Sequence, residues 1–214
     1  MAAAPVENII QKTSTGRAGA FELANAYRRQ MIIAATWRVI SREGISAASM
    51  RTIAAEMAAT TGLVTRYFPD KQGLLLAALE QSVGFLNQEV AAANANLTGK
   101  ARLEATVLAA LPVTEERLQA WKVWVAFMAE LPGAPDLAGA HAVFTGCLRQ
   151  TLVKVLREAQ LAGQIAPEIY PPHLADMMVF QIIGLGALAV NEPGRYPTHK
   201  LPGQIAPFFE RLLK

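Results

Sequence analysis

Residues capable of acid–base or nucleophilic chemistry are scattered along the 214-residue chain. The three histidines, His141, His173 and His199, have no spacing that suits a metal ion or a catalytic dyad, and the last two lie beside proline-containing breaks. No serine lies in a nucleophile elbow, and no glycine-rich phosphate loop is present. The sequence therefore predicts no enzymatic activity, no cofactor and no resident metal.

One cysteine, Cys147, is present, so a disulfide within the chain and a cysteine-based zinc site are both excluded. A redox-sensing thiol is exposed and has cations nearby. Arg149 is close in sequence but projects about 200° around a helix from Cys147. A buried, inert thiol is the preferred interpretation, and regulation by oxidation of Cys147 stays open as an alternative.

Basic residues are concentrated in the first third of the chain. Residues 1–71 contain nine Lys and Arg against five Asp and Glu, whereas residues 72–214 contain eleven against twelve. This excess favours an anionic partner for the first third, although a solvated basic face would show the same charge. Apolar residues make up 52% of the chain, enough for a sizeable core.

The elements that must position these residues are helical. Apolar residues recur at three- and four-residue spacings, and runs alternating with period two are absent. The pattern predicts an all-α fold of about nine helices: Phe21–Arg42, Met50–Met57, Thr61–Phe68, Lys71–Asn96, Lys100–Leu111, Thr114–Leu131, Leu137–Ala162, Pro172–Asn191 and Gly203–Leu213. The inner faces expected for the first and fourth helices are Ile32, Ala35, Thr36, Val39 and Ile40, and Leu75, Leu79, Val83 and Leu86.

The second and third helices are short and separated by a tight turn. Ser49 and Thr60 precede them and have the side chains that cap helix N-termini. Ala54 and Ala55 are small enough for the third helix to cross the second closely. The pattern predicts an N-terminal helix-turn-helix.

The outward face of the third helix has the side chains expected of a helix that enters a DNA major groove. Val64 and Phe68 are expected to anchor its inner side. Its outward residues are small or polar and would let the backbone approach base edges; they are Thr61, Gly62, Thr65 and Arg66.

The stretch Arg28–Leu75 resembles the TetR family of bacterial repressors. The matching motifs are Met-Arg-Thr-Ile-Ala-Ala at residues 50–55 and Tyr-Phe-Pro-Asp-Lys at residues 67–71. The resemblance implies that a palindromic double-stranded operator is bound by Arg51, Thr60, Thr61, Gly62, Thr65, Arg66, Tyr67 and Lys71. Arg51, Tyr67 and Lys71 would contact phosphates and fix the register, whereas the threonines and Gly62 would lie at or near the bases.

Two positions depart from the family pattern. The usual turn glycine is Ala58 here, which carries a strain of about 1 kcal/mol if the position needs a positive φ. A frequent tyrosine of the recognition helix is Thr65. The operator sequence of relatives therefore cannot be transferred to this chain.

The segment Ala120–Glu130 resembles the corresponding helix of choline-responsive repressors of the betaine pathway. Trp124, Ala126, Phe127 and Ala129 match their pattern, but Met128 replaces a second tryptophan. Quaternary ammonium ions need an aromatic cage, so the ligand stays unknown. A ligand pocket between helices is expected from Trp121, Trp124, Met128, Phe144, Cys147, Met178 and Gln181, although an aromatic stripe at helical spacing is more often plain core.

The last two helices are expected to form a homodimer. Met177–Val190 is apolar nearly all round, and at 14 residues it is too short to cross a bilayer. Family resemblance implies an interface of four helices, with candidates Ile182, Leu185, Gly186, Phe208, Phe209 and Leu212.

The sequence thus predicts a mobile arm at residues 1–22, a helix-turn-helix domain at 23–72 and a ligand-binding and dimerisation domain at 73–214. We expect a cytoplasmic, ligand-responsive regulator that a small molecule releases from its operator. The long helix from Lys71 would transmit the ligand's effect. A constitutive DNA-binding protein without an effector is the other alternative.

Overall fold

The computed structural model describes the backbone of residues 17–212 and the side chains of residues 19–207. In this part of the chain the fold is all-α, as predicted. The nine α-helices are α1 (Arg17–Glu43), α2 (Met50–Glu56), α3 (Thr61–Tyr67), α4 (Lys71–Asn94), α5 (Gly99–Ala110), α6 (Glu115–Ala126), α7 (Pro135–Leu161), α8 (Pro171–Asn191) and α9 (Leu201–Leu212). Three short 3₁₀ segments lie at Ile45–Ala47, Phe127–Ala129 and Thr198–Lys200.

The chain divides into two compact units after Ala78. The first contains α1, α2, α3 and the first turns of α4. Helix α1 begins at Arg17, four residues before the predicted start, so the end of the predicted mobile arm is helical. Most of that arm, residues 1–16, lies outside the described residues.

The first unit is built on one face of α1. Ile32, Ala35 and Val39 are fully buried, and the Thr36 hydroxyl donates to the Ile32 carbonyl oxygen at 2.9 Å. Helix α1 ends at Glu43, and the next residue, Gly44, has a φ of 82°, which suits a residue without a side chain. The predicted inner face is confirmed.

Helices α2 and α3 pack against each other, and α2 packs against α1. Ala54, Val64 and Phe68 are buried, as the helix-turn-helix pattern predicts. Ala55 is exposed, because only one of two consecutive helical residues faces the crossing helix.

The turn between α2 and α3 contains Ala58, with a φ of 51°. A left-handed backbone brings Cβ close to the following carbonyl oxygen, so alanine is strained here where glycine would not be. The condition under which the sequence predicts strain at Ala58, a positive φ, is therefore met.

The second unit consists of α4 from Leu79 onward and α5–α9. Helix α7 packs against α5 and α8, and α6 packs against α8. The Ser82 hydroxyl donates to the Ala120 carbonyl oxygen at 2.8 Å and joins α4 to α6. Leu79, Val83 and Leu86 are buried as predicted, but Leu74 is buried at the start of α4 in place of Leu75.

Helix α6 ends earlier than predicted. It changes at Phe127 to a 3₁₀ turn, in which three residues rather than 3.6 complete one turn. The side chains that follow are therefore rotated relative to a continuous α-helix.

Candidate DNA-binding surface and effector cluster

The recognition helix α3 presents an exposed polar face. Its N-cap is Thr60, whose hydroxyl oxygen accepts from the Leu63 amide at 3.3 Å. The Thr65 hydroxyl lies 3.2 Å from the carbonyl oxygens of Thr61 and Gly62 and donates to the helix's own backbone. The hydroxyl oxygen of Thr65 keeps its acceptor capacity for a partner outside the helix.

All four residues predicted on the outward face of α3 are exposed; they are Thr61, Gly62, Thr65 and Arg66. A Cβ added at Gly62 would meet only the Thr60 hydroxyl oxygen, at 3.9 Å, so the glycine leaves open space above the backbone. That space is what a close approach to a base edge requires.

Cationic side chains precede and follow α3 along the chain. Arg51, in the first turn of α2, and Lys71, the first residue of α4, are both exposed. The N-termini of these helices are organised by Ser49, which accepts from the Thr52 amide at 3.1 Å, and by Asp70, which accepts from the Gly73 amide at 2.7 Å. The predicted Ser49 cap is confirmed.

A carboxylate braces α2 against α1. Glu56 accepts from Arg38 at 2.7 Å and from Arg42 at 2.9 Å. The Arg38 hydrogen bond, with that of Arg42, holds the pKa of the Glu56 carboxyl below its ordinary value. In the sequence Glu56 lies 18 residues from Arg38 and 14 residues from Arg42, so no short motif predicts these ion pairs.

Tyr67, predicted at the phosphate backbone, is half-buried at the C-terminal end of α3. Its hydroxyl donates to Asn25 Oδ1 at 3.0 Å. Arg29, one turn further along α1, places its guanidinium carbon 4.2 Å from the centroid of the Phe68 ring. Asn25 and Arg29 were not among the predicted site residues.

The second unit contains a buried aromatic cluster. The rings of Trp121, Trp124 and Phe144 meet edge to face, with centroids 5.3 Å apart for the two tryptophans and 5.8 Å apart for each tryptophan and Phe144. All three side chains are fully buried, and the Trp121 indole donates to the Ala110 carbonyl oxygen at 2.9 Å. Met178 is also buried.

His141 covers one face of Trp124. The imidazole and indole centroids are 4.0 Å apart with an interplanar angle of 18°. The Trp124 indole donates to the His141 carbonyl oxygen at 3.3 Å, and His141 Nε2 lies 3.2 Å from the Trp124 carbonyl oxygen. Burial lowers the pKa of His141 despite that hydrogen bond, which favours the neutral imidazole.

Two family descriptions match this chain. "Bacterial regulatory proteins, tetR family" matches residues 32–78, and "BetI-type transcriptional repressor, C-terminal" matches residues 99–214, more than half of the chain. The transcriptional regulator PksA of Bacillus subtilis is 30% identical over 173 residues, which cover 78% of this chain and 81% of PksA. The chain belongs to the tetR family.

A further relative and two solved structures are similar to this chain. The regulator BetI of Pseudomonas fluorescens is 32% identical over 113 residues, but these cover only 51% of this chain and 57% of that relative. A regulator from Saccharomonospora viridis, solved in complex with choline, shares the fold with a TM-score of 0.81 at 22% identity, covering 88% of this chain and 99% of that one. A Rhodococcus regulator has a TM-score of 0.74 at 24% identity, covering 86% and 95%. This tetR-family chain is a DNA-binding transcriptional regulator of a ligand-responsive family.

Several residues that the sequence predicts in a ligand pocket of this tetR-family chain are not part of the buried aromatic cluster. Met128 is exposed and Phe127 is buried, because the 3₁₀ turn rotates the chain after Ala126. Gln181 lies on the exposed face of α8. The substitution of tryptophan by Met128 therefore removes no wall from the aromatic cluster.

Cys147 is exposed, so the preferred interpretation of a buried thiol is wrong. The guanidinium of Arg149 binds the Asp176 carboxylate on α8. This pairing lowers the pKa of Asp176.

The dimer residues predicted on α8 also need correction. Ile182 is fully buried inside its own protomer, and a Cβ added at Gly186 would lie under 3.0 Å from three carbons of the Trp121 indole. Leu185 is half-buried. The exposed residues of α8 are instead His173, Met177, Phe180, Gln181, Gly184 and, at its end, Asn191.

The remaining predicted interface residues, Phe208, Phe209 and Leu212, belong to α9, but their side chains lie outside the described residues. The apolar run predicted to be too short to cross a bilayer lies within α8, which has 21 residues and a mean hydropathy of 1.7 and is long and apolar enough to do so by length and composition. Core helices of soluble proteins pass the same test.

Proposed function

We propose that the protein is a homodimeric repressor whose two copies of α3 bind a palindromic operator, and that a small molecule bound in the second unit releases the DNA. Its site of action would be the cytoplasm. The observation that carries this proposal is the exposed polar face of a capped α3, flanked by exposed Arg51 and Lys71. We expect α3 to discriminate base edges and the two cations to contact phosphates.

The dimer is proposed to form through α8 and α9. Met177 and Phe180, with exposed fractions of 45% and 66%, lie on the same exposed face as Gln181 and Gly184. An exposed row of large apolar side chains on a soluble regulator favours a protein interface. A two-fold dimer would place its recognition helices about one DNA turn apart, roughly 34–36 Å, or further.

The effector is proposed to bind at the aromatic cluster. Two surface clefts, of about 390 and 650 Å³, are formed by α7 and by the junction of α4 and α5 with α7, and neither includes a residue of this cluster. The cluster is filled by its own rings, so a ligand must displace a side chain. We propose that His141 is the side chain displaced, because its imidazole stacks on Trp124 and is held by a single long hydrogen bond, between Nε2 and the Trp124 carbonyl oxygen at 3.2 Å.

Choline is the first compound to test, because the regulator from Saccharomonospora viridis binds it. The face of an indole attracts quaternary ammonium ions. Choline would have to take the place of the His141 imidazole on Trp124. Titration of choline into the protein–DNA complex is expected to release DNA, and Trp124→Leu to abolish the response without changing the affinity for DNA.

Thermodynamic linkage gives a second readout for the effector. Operator DNA must weaken binding of the effector by the same factor by which the effector weakens binding of DNA. Unchanged effector affinity at saturating operator, or release that persists in Trp124→Leu, would contradict the proposed effector site.

The operator is tested by selection of duplexes from a random-sequence library with the purified protein. We expect an inverted repeat among the selected duplexes. Arg51→Ala and Lys71→Ala should weaken binding of every duplex and each reduce the slope of log affinity against log salt by about one. Selection of no common sequence would contradict the proposal.

A further inference from the structure

We infer that Asn25 and Arg29 of α1 position the recognition helix for base readout. We refer to these two residues, together with Tyr67 and Phe68, as the clamp. The inference rests on the proposed function, in that the exposed face of α3 must discriminate between bases. It adds two residues of α1 that belong to neither α2 nor α3 and lie outside the matched family segment at residues 32–78.

The first contact of the clamp uses the only proton of the Tyr67 hydroxyl. That hydroxyl donates to Asn25 Oδ1 at 3.0 Å, across 42 residues of sequence. A phosphate oxygen only accepts hydrogen bonds, and a phenol has one proton to donate. With that proton on Asn25, Tyr67 has none for a phosphate, and its hydrogen bond holds the end of α3 to α1.

The second contact of the clamp is made one turn further along α1. Asn25 and Arg29 are four residues apart and share a face of the helix. The guanidinium carbon of Arg29 lies 4.2 Å from the centroid of the Phe68 ring, within the range of a cation–π attraction. Phe68 is the C-cap of α3 and is only 2% exposed, so the Arg29 guanidinium contacts the residue at which α3 ends.

A seven-residue helix needs such support. Two turns of helix are not stable alone, so the orientation of α3 depends on its tertiary contacts. The N-terminal end is fixed by the Thr60 cap and the turn from α2. The clamp fixes the other end. Base recognition requires side chains placed to within about 0.5 Å, whereas attraction to phosphates tolerates more movement.

The experiment compares two duplexes: one selected from a random library by the wild-type protein, and a scrambled duplex of the same length. Binding of wild type, Tyr67→Phe, Asn25→Ala and the double variant is measured by fluorescence anisotropy. We expect each single variant to bind the selected duplex about five- to tenfold more weakly and the scrambled duplex unchanged. The double variant should be no weaker than either single one, because both remove the same hydrogen bond.

Arg29 is tested by two substitutions that differ in charge. Arg29→Lys keeps a cation over the Phe68 ring and should keep the preference for the selected duplex. Arg29→Gln should lose part of that preference without changing the salt dependence on either duplex. Tyr170→Phe and Asn96→Ala, at exposed positions of the second unit, are matched controls that should behave as wild type.

The following results would each overturn the inference. Equal losses on both duplexes, or a salt slope reduced by about one in Arg29→Gln, would make these residues phosphate contacts. Losses that add in the double variant, or no loss at all, would remove the clamp. A lower melting temperature with an unchanged ratio of the two affinities would show a structural role only. If the wild type itself selected no sequence, the proposed function would fail first.

Discussion

At the scale of single residues, Ala58 shows how a departure from a family pattern becomes a measurable strain. Its φ of 51° is one that alanine adopts at a cost and glycine adopts freely. We expect Ala58→Gly to raise the free energy of unfolding by about 0.5–1 kcal/mol. Chemical denaturation measures this, with Ala59→Gly as the control, since the φ of Ala59 is not positive and glycine there should destabilise. A loss of stability in Ala58→Gly would contradict the proposed strain.

Substitution of Gly62 is expected to affect stability and DNA binding in opposite directions. A methyl group there meets nothing closer than 3.9 Å, and alanine is a better helix former than glycine. We therefore expect Gly62→Ala to stabilise the protein by up to about 1 kcal/mol while weakening binding of the selected duplex about tenfold. Gly139→Ala, at an exposed glycine of α7 with open space around it, should stabilise without affecting DNA binding. Unchanged DNA affinity in Gly62→Ala would show that the backbone of α3 does not approach the bases.

At the scale of elements, the position of α8 depends on the absence of one side chain. Gly186 lies against the Trp121 indole, which is fully buried and bound to the Ala110 carbonyl oxygen. Added methyl groups force side chains and backbone apart, so Gly186→Ala should destabilise the second unit by about 1–3 kcal/mol and change the tryptophan fluorescence.

The matched control for Gly186→Ala is Gly146→Ala on α7, where a Cβ meets nothing within 4 Å. Its tryptophan fluorescence should match wild type, and its stability should be unchanged or slightly higher, because alanine is a better helix former than glycine. If Gly186→Ala behaved like this control, the close packing of Trp121 on α8 would be wrong.

The helices themselves were predictable, because periodicity, caps and breakers act locally. Ser49, Thr60 and Asp70 cap the helices that their sequence positions indicate. What lay beyond prediction is the rotation of side chains where geometry changes. In the 3₁₀ turn after α6, Phe127 is buried in the core and Met128 is exposed, whereas the sequence predicts Met128 inside. Nothing in the local pattern of Ala120–Glu130 indicates that the α-helix changes to a 3₁₀ turn there.

At the scale of the whole molecule, the sequence shows that a helix is apolar on all sides but not which side its own protomer covers. Ile182 and Gly186 face inward, whereas Phe180 faces outward. The exposed arc of α8 could be located only once its neighbours α6 and α7 were in place. The clamp was missed for the same reason, since Tyr67 and Asn25 are 42 residues apart.

The dimer is tested at this exposed arc. Phe180→Glu should convert the protein to a monomer in sedimentation experiments without loss of helicity, because the side chain is 66% exposed in the protomer. A monomer engages one half-site, so its affinity for the palindrome should fall by about 10²-fold or more. Leu161→Glu, at a residue 89% exposed on α7, is the control and should stay dimeric. A dimeric Phe180→Glu variant would place the interface elsewhere.

The central claim is that this tetR-family chain recognises a DNA sequence through α3. It is tested most directly by anisotropy with the selected duplex and a scrambled duplex, at about 50 and 200 mM salt, because affinity for DNA depends strongly on salt. We predict a preference of about 10³-fold or more for the selected duplex in the wild type, reduced at least tenfold by Arg66→Ala. Equal affinity for both duplexes at both salt concentrations would contradict the claim.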